Sequence, residues 1–225
     1  MKNGIQALKV CGMTQKEQIR DLIALNVDFI GFIFYERSPR FVLNSLTLAD
    51  IQSIDHPGKT GVFVNESVEK VSEVAEKAGL AMIQLHGNED QTYISTLRKQ
   101  AGHKIKIMKA VRIGLQDAVS KEQRSEEISE QIRAVQNDVD YILFDTDSKG
   151  YGGTGKRFEW SLLDSLDIPL PYFLSGGISG DNIGDLDTIS HKPFAIDINS
   201  KFERTPGDKD LNRIREFVSN IYKTD

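Results

Sequence analysis

The only cysteine of the chain lies in Lys9-Val10-Cys11-Gly12-Met13-Thr14, where an apolar run gives way to a helical pattern. A lone cysteine cannot close an internal disulfide, so it either packs or reacts. Alternate residues of a strand share a face, which puts Lys9 beside Cys11. An ammonium next to a thiol favours thiolate. Lowering a thiol pKa from ~8.5 by one unit ionises about half of it at pH 7.5, for roughly 1.4 kcal/mol. The expectation is a base or nucleophile, set against the alternative of a small buried hydrophobe. A second candidate, Asp145, closes the apolar run Tyr141-Ile142-Leu143-Phe144, where partial desolvation would raise its pKa. Keeping a carboxyl protonated near pH 7 needs a shift of about 3 units, roughly 4 kcal/mol, which enzymes reach. The alternative is a helix cap or an ion pair. Asp147 competes for the same role from a glycine-rich loop past the strand end.

Further polar residues follow other apolar runs. Arg40, stiffened by Pro39, can grip a carboxylate with two parallel hydrogen bonds, or sit on the surface as an ordinary arginine. His86 either titrates near neutral pH or acts as a hydrogen-bonding spacer. Gly176-Gly177 lets backbone N–H groups approach an anion, or simply makes a turn. Ser200, next to Asn199, adds a hydroxyl donor. Arg40, Lys9, His86, Gly176, Gly177, Asn199 and Ser200 are thus the candidate substrate-binding residues, with Cys11 and Asp145 as the catalytic ones. Gly152-Gly153-Thr154-Gly155 is a lid or a connector. No spacing of His, Cys, Asp and Glu resembles a metal site, and no cofactor is expected.

Eight short apolar runs must position these groups: Ala7–Cys11, Phe29–Phe34, Thr60–Val64, Met82–Leu85, Ile105–Ala110, Tyr141–Asp145, Pro171–Leu174 and Phe194–Ile198. Amphipathic stretches separate them. Val68, Val71, Val74, Ala75 and Ala78 mark one helical face, opened by Asn65 and Ser67 and stopped by Gly79. Thr14 with Glu17, and Asn88 with Gln91, have the spacing of capping boxes. The polar segment 115–137 keeps an apolar stripe of Ile128, Ile132 and Val135 and is expected to be a solvated fifth helix. Eight strand-helix repeats predict a closed (β/α)8 barrel forming one catalytic domain over residues 1–225, with an open doubly wound sheet as the alternative. In such barrels active sites lie at the C-terminal ends of the strands, which is where every candidate above falls.

The bulk numbers restrict the partners. Hydrophobic residues make up 39% and charged residues 27% of the 225, with a net charge of −5, so no basic footprint for nucleic acid exists. No apolar run approaches the roughly 20 residues that span a bilayer. With no signal-peptide pattern and one cysteine, a cytoplasmic location and a small-molecule substrate are expected. Monomer and homodimer both remain open.

The blocks Lys9–Thr14, Gly31-Phe32-Ile33-Phe34 with Ser38-Pro39-Arg40, Gly61–Asn65, Gln84-Leu85-His86-Gly87, Phe144-Asp145-Thr146, Gly152–Gly155, Ser175-Gly176-Gly177-Ile178 and Pro206–Asp210 occur in an order and spacing that resembles the phosphoribosylanthranilate isomerase family. The resemblance implies an Amadori rearrangement of an anthranilate-bearing phosphoribosyl amine in tryptophan biosynthesis. It makes Cys11 the general base and Asp145 the general acid. Arg40 becomes the carboxylate ligand, and the loops after strands seven and eight the phosphate site. One departure stands out: where the family usually has Asp-Val-Ser-Ser-Gly-Val-Glu, this chain has Asp197-Ile198-Asn199-Ser200-Lys201-Phe202-Glu203. If that backbone needed glycine, Lys201 would be strained; otherwise its charge could attract phosphate. The competing functions are a two-aspartate sugar-phosphate isomerase or an epimerase on the same barrel, and a non-catalytic barrel. A carboxylate in place of Cys11 would have favoured the two-aspartate enzyme.

Overall fold

The computed structural model describes residues 4–114, 120–147 and 158–222. Eight parallel strands close into a barrel in chain order: β1 (Ala7–Val10), β2 (Phe29–Ile33), β3 (Lys59–Phe63), β4 (Met82–Leu85), β5 (Lys106–Gly114), β6 (Tyr141–Asp147), β7 (Tyr172–Leu174) and β8 (Ala195–Ile198). Pairing of β8 with β1 closes the ring and sets Lys9 opposite Asp197. Every expected strand forms. The ends shift most in β5, which continues to Gly114 because it pairs with β6 along its whole upper half, Arg112 opposite Asp145.

Six α-helices are present among the described residues: α1 (Lys16–Ala24), α2 (Leu48–Gln52), α3 (Val68–Ala78), α4 (Gln91–Ala101), α5 (Lys121–Val135) and α6 (Leu211–Tyr222). After β6 and β7 the described chain makes only 3₁₀ turns, at Trp160–Ser165 and Ile183–Thr188. Pro169 and Pro171 stop the first of these from extending, since proline lacks an N–H and restricts the residue before it. After β8 comes a 3₁₀ turn at Ser200–Phe202. It leads into an antiparallel hairpin, β9 (Glu203–Thr205) with β10 (Asp208–Lys209), which no apolar run announces.

Helix α3 begins where expected: the Ser67 hydroxyl accepts from the Lys70 N–H at 3.2 Å, and Gly79 ends the helix at φ +61°. Helix α5 buries Ile128, Ile132 and Val135 as expected, while residues 115–119 lie outside the described residues. Two capping boxes are corrected. Helix α1 has Gln15 at its N-cap with no side-chain cap, because the Thr14 hydroxyl instead donates to the Gly207 carbonyl at 2.8 Å. Helix α4 is capped by Asp90, which accepts from the Tyr93 N–H; Asn88 is held away from that position by Asn65 and Arg112.

Two apolar clusters hold the barrel. The larger lies between the outward strand residues, such as Leu8, Val10, Ile83 and Leu85, and the surrounding helices. The smaller fills the barrel's interior: Ala7, Met82, Met108, Ala110, Leu143, Phe173 and Ala195, flanked by Phe29, Tyr141 and Phe194. Each large side chain buried this way contributes about 1.5–3 kcal/mol before entropy is counted. No described helix is long and apolar enough to cross a membrane.

Candidate active site

Two residues above the interior plug the same strands turn polar, and a cavity opens over them. Its lining takes Cys11 past the end of β1, Gln84 from β4 and His86 just past its end, Asp145 from β6 and Asp197 from β8. The loop after β2 adds Arg40, the loop after β7 adds Gly176 and Gly177, and the loop after β8 adds Asn199, Ser200 and Lys201. Ile33, Val62 and Val64 form an apolar wall. The cavity therefore gathers eight of the nine residues singled out above. Lys9 is the exception: it is fully buried beneath Cys11 and does not line the cavity. Asp147 has no described side chain, and Gly152–Gly155 lies outside the described residues.

Cys11 owes its place to small neighbours. Its N–H donates to the Ile198 carbonyl at 2.9 Å, and a Cβ on Gly31 would stand 2.8 Å from its sulfur. Gly12 turns the chain at φ +78°; a Cβ there would meet Arg40 and Asn199. Lys9 Nζ pairs with Asp197 Oδ2 at 2.7 Å. The expected fall in the Cys11 pKa is overturned. Burial pushes the thiol above its usual range, and Asp197 adds to the rise; Lys9 and Lys209 oppose it without cancelling it. Lys9 itself stays charged: burial works against its ammonium, but Asp197 and Cys11 outweigh that.

Asp145 sits in a short polar chain. Its Oδ1 accepts from the Thr146 N–H at 2.8 Å, and its Oδ2 lies 3.2 Å from His86 Nε2. The Gln84 amide nitrogen meets His86 Nδ1 at 2.9 Å. With the amide donating to Nδ1, the neutral ring carries its proton on Nε2, toward Asp145. Farther along the same rim, Glu89 accepts from the Asn65 and Gly87 N–H groups and pairs with Lys109 at 2.7 Å, fixing the turn that follows His86.

Arg40 is 8% exposed and already engaged. Its Nε and Nη2 bond both oxygens of Glu203 at 2.6–2.9 Å. Glu203 also accepts from Lys209 Nζ at 2.8 Å and from the Gly207 N–H at 3.1 Å. Burial would raise the Glu203 carboxyl, but Arg40 and Lys209 hold it below the usual carboxylate range. Lys209 Nζ reaches Asn199 Oδ1 as well, at 2.8 Å. So the hairpin β9–β10 carries the groups that aim Arg40 and Asn199. Glu203, Lys209, Asp197 and Gln84 were absent from the sequence candidates. All four lie within the motif blocks quoted above, and strand alternation was a further signal, since it sets Asp197 two residues before Asn199 and Gln84 two before His86.

Gly176 and Gly177 take φ of +87° and +73°, and a Cβ on Gly176 would strike Thr146 and Asp145. Lys201 is not among the residues with positive φ, so its replacement of glycine carries no backbone strain. It is exposed, and it makes no ion pair among the described residues.

Residues 8–220 match the family model described as N-(5'phosphoribosyl)anthranilate (PRA) isomerase. An N-(5'-phosphoribosyl)anthranilate isomerase of Parabacteroides distasonis is 41% identical over 95% of this chain and 92% of that protein. A crystal structure of phosphoribosyl anthranilate isomerase from Thermotoga maritima is 31% identical, with a TM-score of 0.74 over 96% of this chain and 98% of that one. A further structure of such an isomerase, in complex with reduced 1-(o-carboxyphenylamino)-1-deoxyribulose 5-phosphate, is 30% identical, with a TM-score of 0.71 over 96% and 98% of the two chains.

Proposed function

The chain belongs to the N-(5'-phosphoribosyl)anthranilate isomerase family, and from that premise we propose that Cys11 and Asp145 are the base and acid of its Amadori rearrangement. The enzyme converts N-(5-phosphoribosyl)anthranilate to 1-(2-carboxyphenylamino)-1-deoxyribulose 5-phosphate, a step of tryptophan biosynthesis. One observation carries the assignment: the thiol, just past the end of β1, and the carboxyl on β6 line the same cavity, with an arginine and a glycine loop in the same lining.

Asp145 protonates the ribose ring oxygen; the C1–O bond breaks, and the anilino nitrogen lone pair forms the Schiff base. The minor thiolate form of Cys11, favoured by Lys9 and Lys209 against burial, then removes the C2 proton, and the electrons move to the nitrogen to give an enolamine. Loss of the O2 proton and protonation at C1 yield the ketone. C1 is reduced and C2 oxidised within one molecule, an aldose-ketose type intramolecular oxidoreduction that a positioned acid and base supply. Arg40, oriented by Glu203, turns its outer guanidinium edge to the anthranilate carboxylate, and the ring lies on Ile33, Val62 and Val64. Gly176, Gly177, Asn199 and Ser200 receive the phosphate, and Lys201 adds a point charge without displacing the backbone. Holding both ends lets binding energy orient the centre. A single barrel domain, as monomer or homodimer in the cytoplasm, completes the proposal.

The test is turnover of freshly made phosphoribosylanthranilate, followed by loss of its fluorescence. Cys11→Ser is expected to lower kcat by about 10²–10⁴-fold with KM nearly unchanged. Full activity in that variant would remove Cys11 as the base.

A further inference from the structure

Two buried acceptors in the cavity have no hydrogen-bond partner among the described residues: Asp197 Oδ1 and Gln84 Oε1. Asp197 is 5% exposed and Gln84 1%, and both line the cavity. Neither can turn away to find a donor. The Asp197 carboxylate is clamped at its other oxygen by Lys9, and the Gln84 amide is held at its nitrogen by His86. A buried acceptor left unmade is destabilising, so such an atom in a site points to a donor that arrives with the ligand.

The surroundings specify that donor. Asp197 lies on the strand beside Cys11, whose N–H bonds the next carbonyl of β8. Asp197 lines the same cavity as the Cys11 thiol and the Asp145 carboxyl. An anionic group, whether phosphate or carboxylate, would be repelled there. A neutral hydroxyl is accepted. The hydroxyl nearest to the base is the one on the carbon that loses its proton.

We propose that Asp197 Oδ1 accepts a hydrogen bond from the C2 hydroxyl of the sugar, and that Gln84 Oε1 takes a neighbouring hydroxyl, so that these two side chains read the polyol centre of the substrate. The proposal rests on the isomerase reading above and extends it from the two anionic ends to the middle. Asp197 thereby does two things: one oxygen keeps Lys9 under the thiol, and the other sets the carbon in front of it.

The experiment measures competitive inhibition by three compounds: the reduced product analogue, its 2-deoxy counterpart and its 2-deoxy-2-fluoro counterpart. Fluorine takes the place of the oxygen but cannot donate. Wild-type protein is expected to bind the hydroxyl compound about tenfold or more tightly than the deoxy one, with the fluoro compound weakest because it faces a carboxylate. In Asp197→Asn an amide nitrogen can face the cavity, and the fluoro compound is expected to recover to within about threefold of the hydroxyl one. A purely structural role for Asp197 would weaken all three alike. Wild-type protein that turns over phosphoribosylanthranilate yet binds the three compounds equally overturns the proposal, as does an unchanged ranking in Asp197→Asn. Should that variant not fold, the wild-type ranking alone decides. Wild-type protein that neither turns over phosphoribosylanthranilate nor binds any of the three overturns the isomerase reading itself.

Discussion

The interior of this barrel has two halves built from the same strands, and they differ in kind. On β1 the inward row runs Ala7, Lys9, Cys11; on β4 it runs Met82, Gln84, His86; on β8 it runs Ala195, Asp197, Asn199. The N-terminal half is apolar and packed around Phe173, whose ring meets those of Phe29 and Tyr141 at 5.3 Å and Phe194 at 5.7 Å. The C-terminal half is charged and still buried, since Lys9 and Lys209 are each 0% exposed. Buried charges are tolerated only when paired, and here Lys9 pairs with Asp197 while Arg40 and Lys209 share Glu203. The lower plug lies directly beneath the Lys9–Asp197 pair on β1 and β8, and low local polarity strengthens such a buried pair. The contrast teaches a division of labour along each strand: the first inward residue supplies cohesion and the next ones supply chemistry.

The comparison is broken most directly by substitutions in each half. Asp145→Asn, in the upper half, is expected to cut kcat about 10²–10⁴-fold while the unfolding midpoint in urea barely moves. A variant that opened the ring at an undiminished rate would take Asp145 out of the acid's role. Phe173→Ala, in the lower half, is expected to cost about 3–5 kcal/mol by urea unfolding, with kcat of the folded fraction changed less than about threefold. Destabilisation below about 1 kcal/mol would mean that the plug is not the cohesive half.

Subtler changes sharpen the comparison inside the upper half. Glu203→Gln keeps the shape of the carboxylate but loosens Arg40, so KM is expected to rise about tenfold with kcat nearly intact. An unchanged KM would show that Arg40 aims itself. The smallest effect concerns the thiol. Because burial holds Cys11 above the usual thiol range, its thiolate fraction at pH 7 lies below that of a free cysteine. Alkylation by iodoacetamide is therefore expected to be several-fold slower than for a free thiol at pH 7, and to keep rising beyond about pH 9.5, where a free thiol of pKa ~8.5 levels off. Faster labelling at neutral pH would mean that Lys9 and Lys209 outweigh burial.

The amino-acid sequence determined the ring of strands, because each is a short apolar run bounded by turn residues, and it placed the polar groups at one end because they follow those runs. It carried Cys11, Asp145, Arg40 and His86 as individuals, by type and position. Strand ends, the actual N-termini of α1 and α4 and the hairpin after β8 were not legible, since they depend on partners elsewhere in the chain: Thr14 on Gly207, Asn88 on Asn65 and Arg112, and β5 on β6. The same holds for the charges. Lys9, two residues before Cys11 on the same strand face, suggested an acidified thiol, but the closed ring buried the thiol, which reversed the direction, and brought Asp197 to Lys9, which added to it. Pairing along a strand is a local property with a period of two. Which charge neutralises which, and how dry the site is, are decided only when strands 188 residues apart meet.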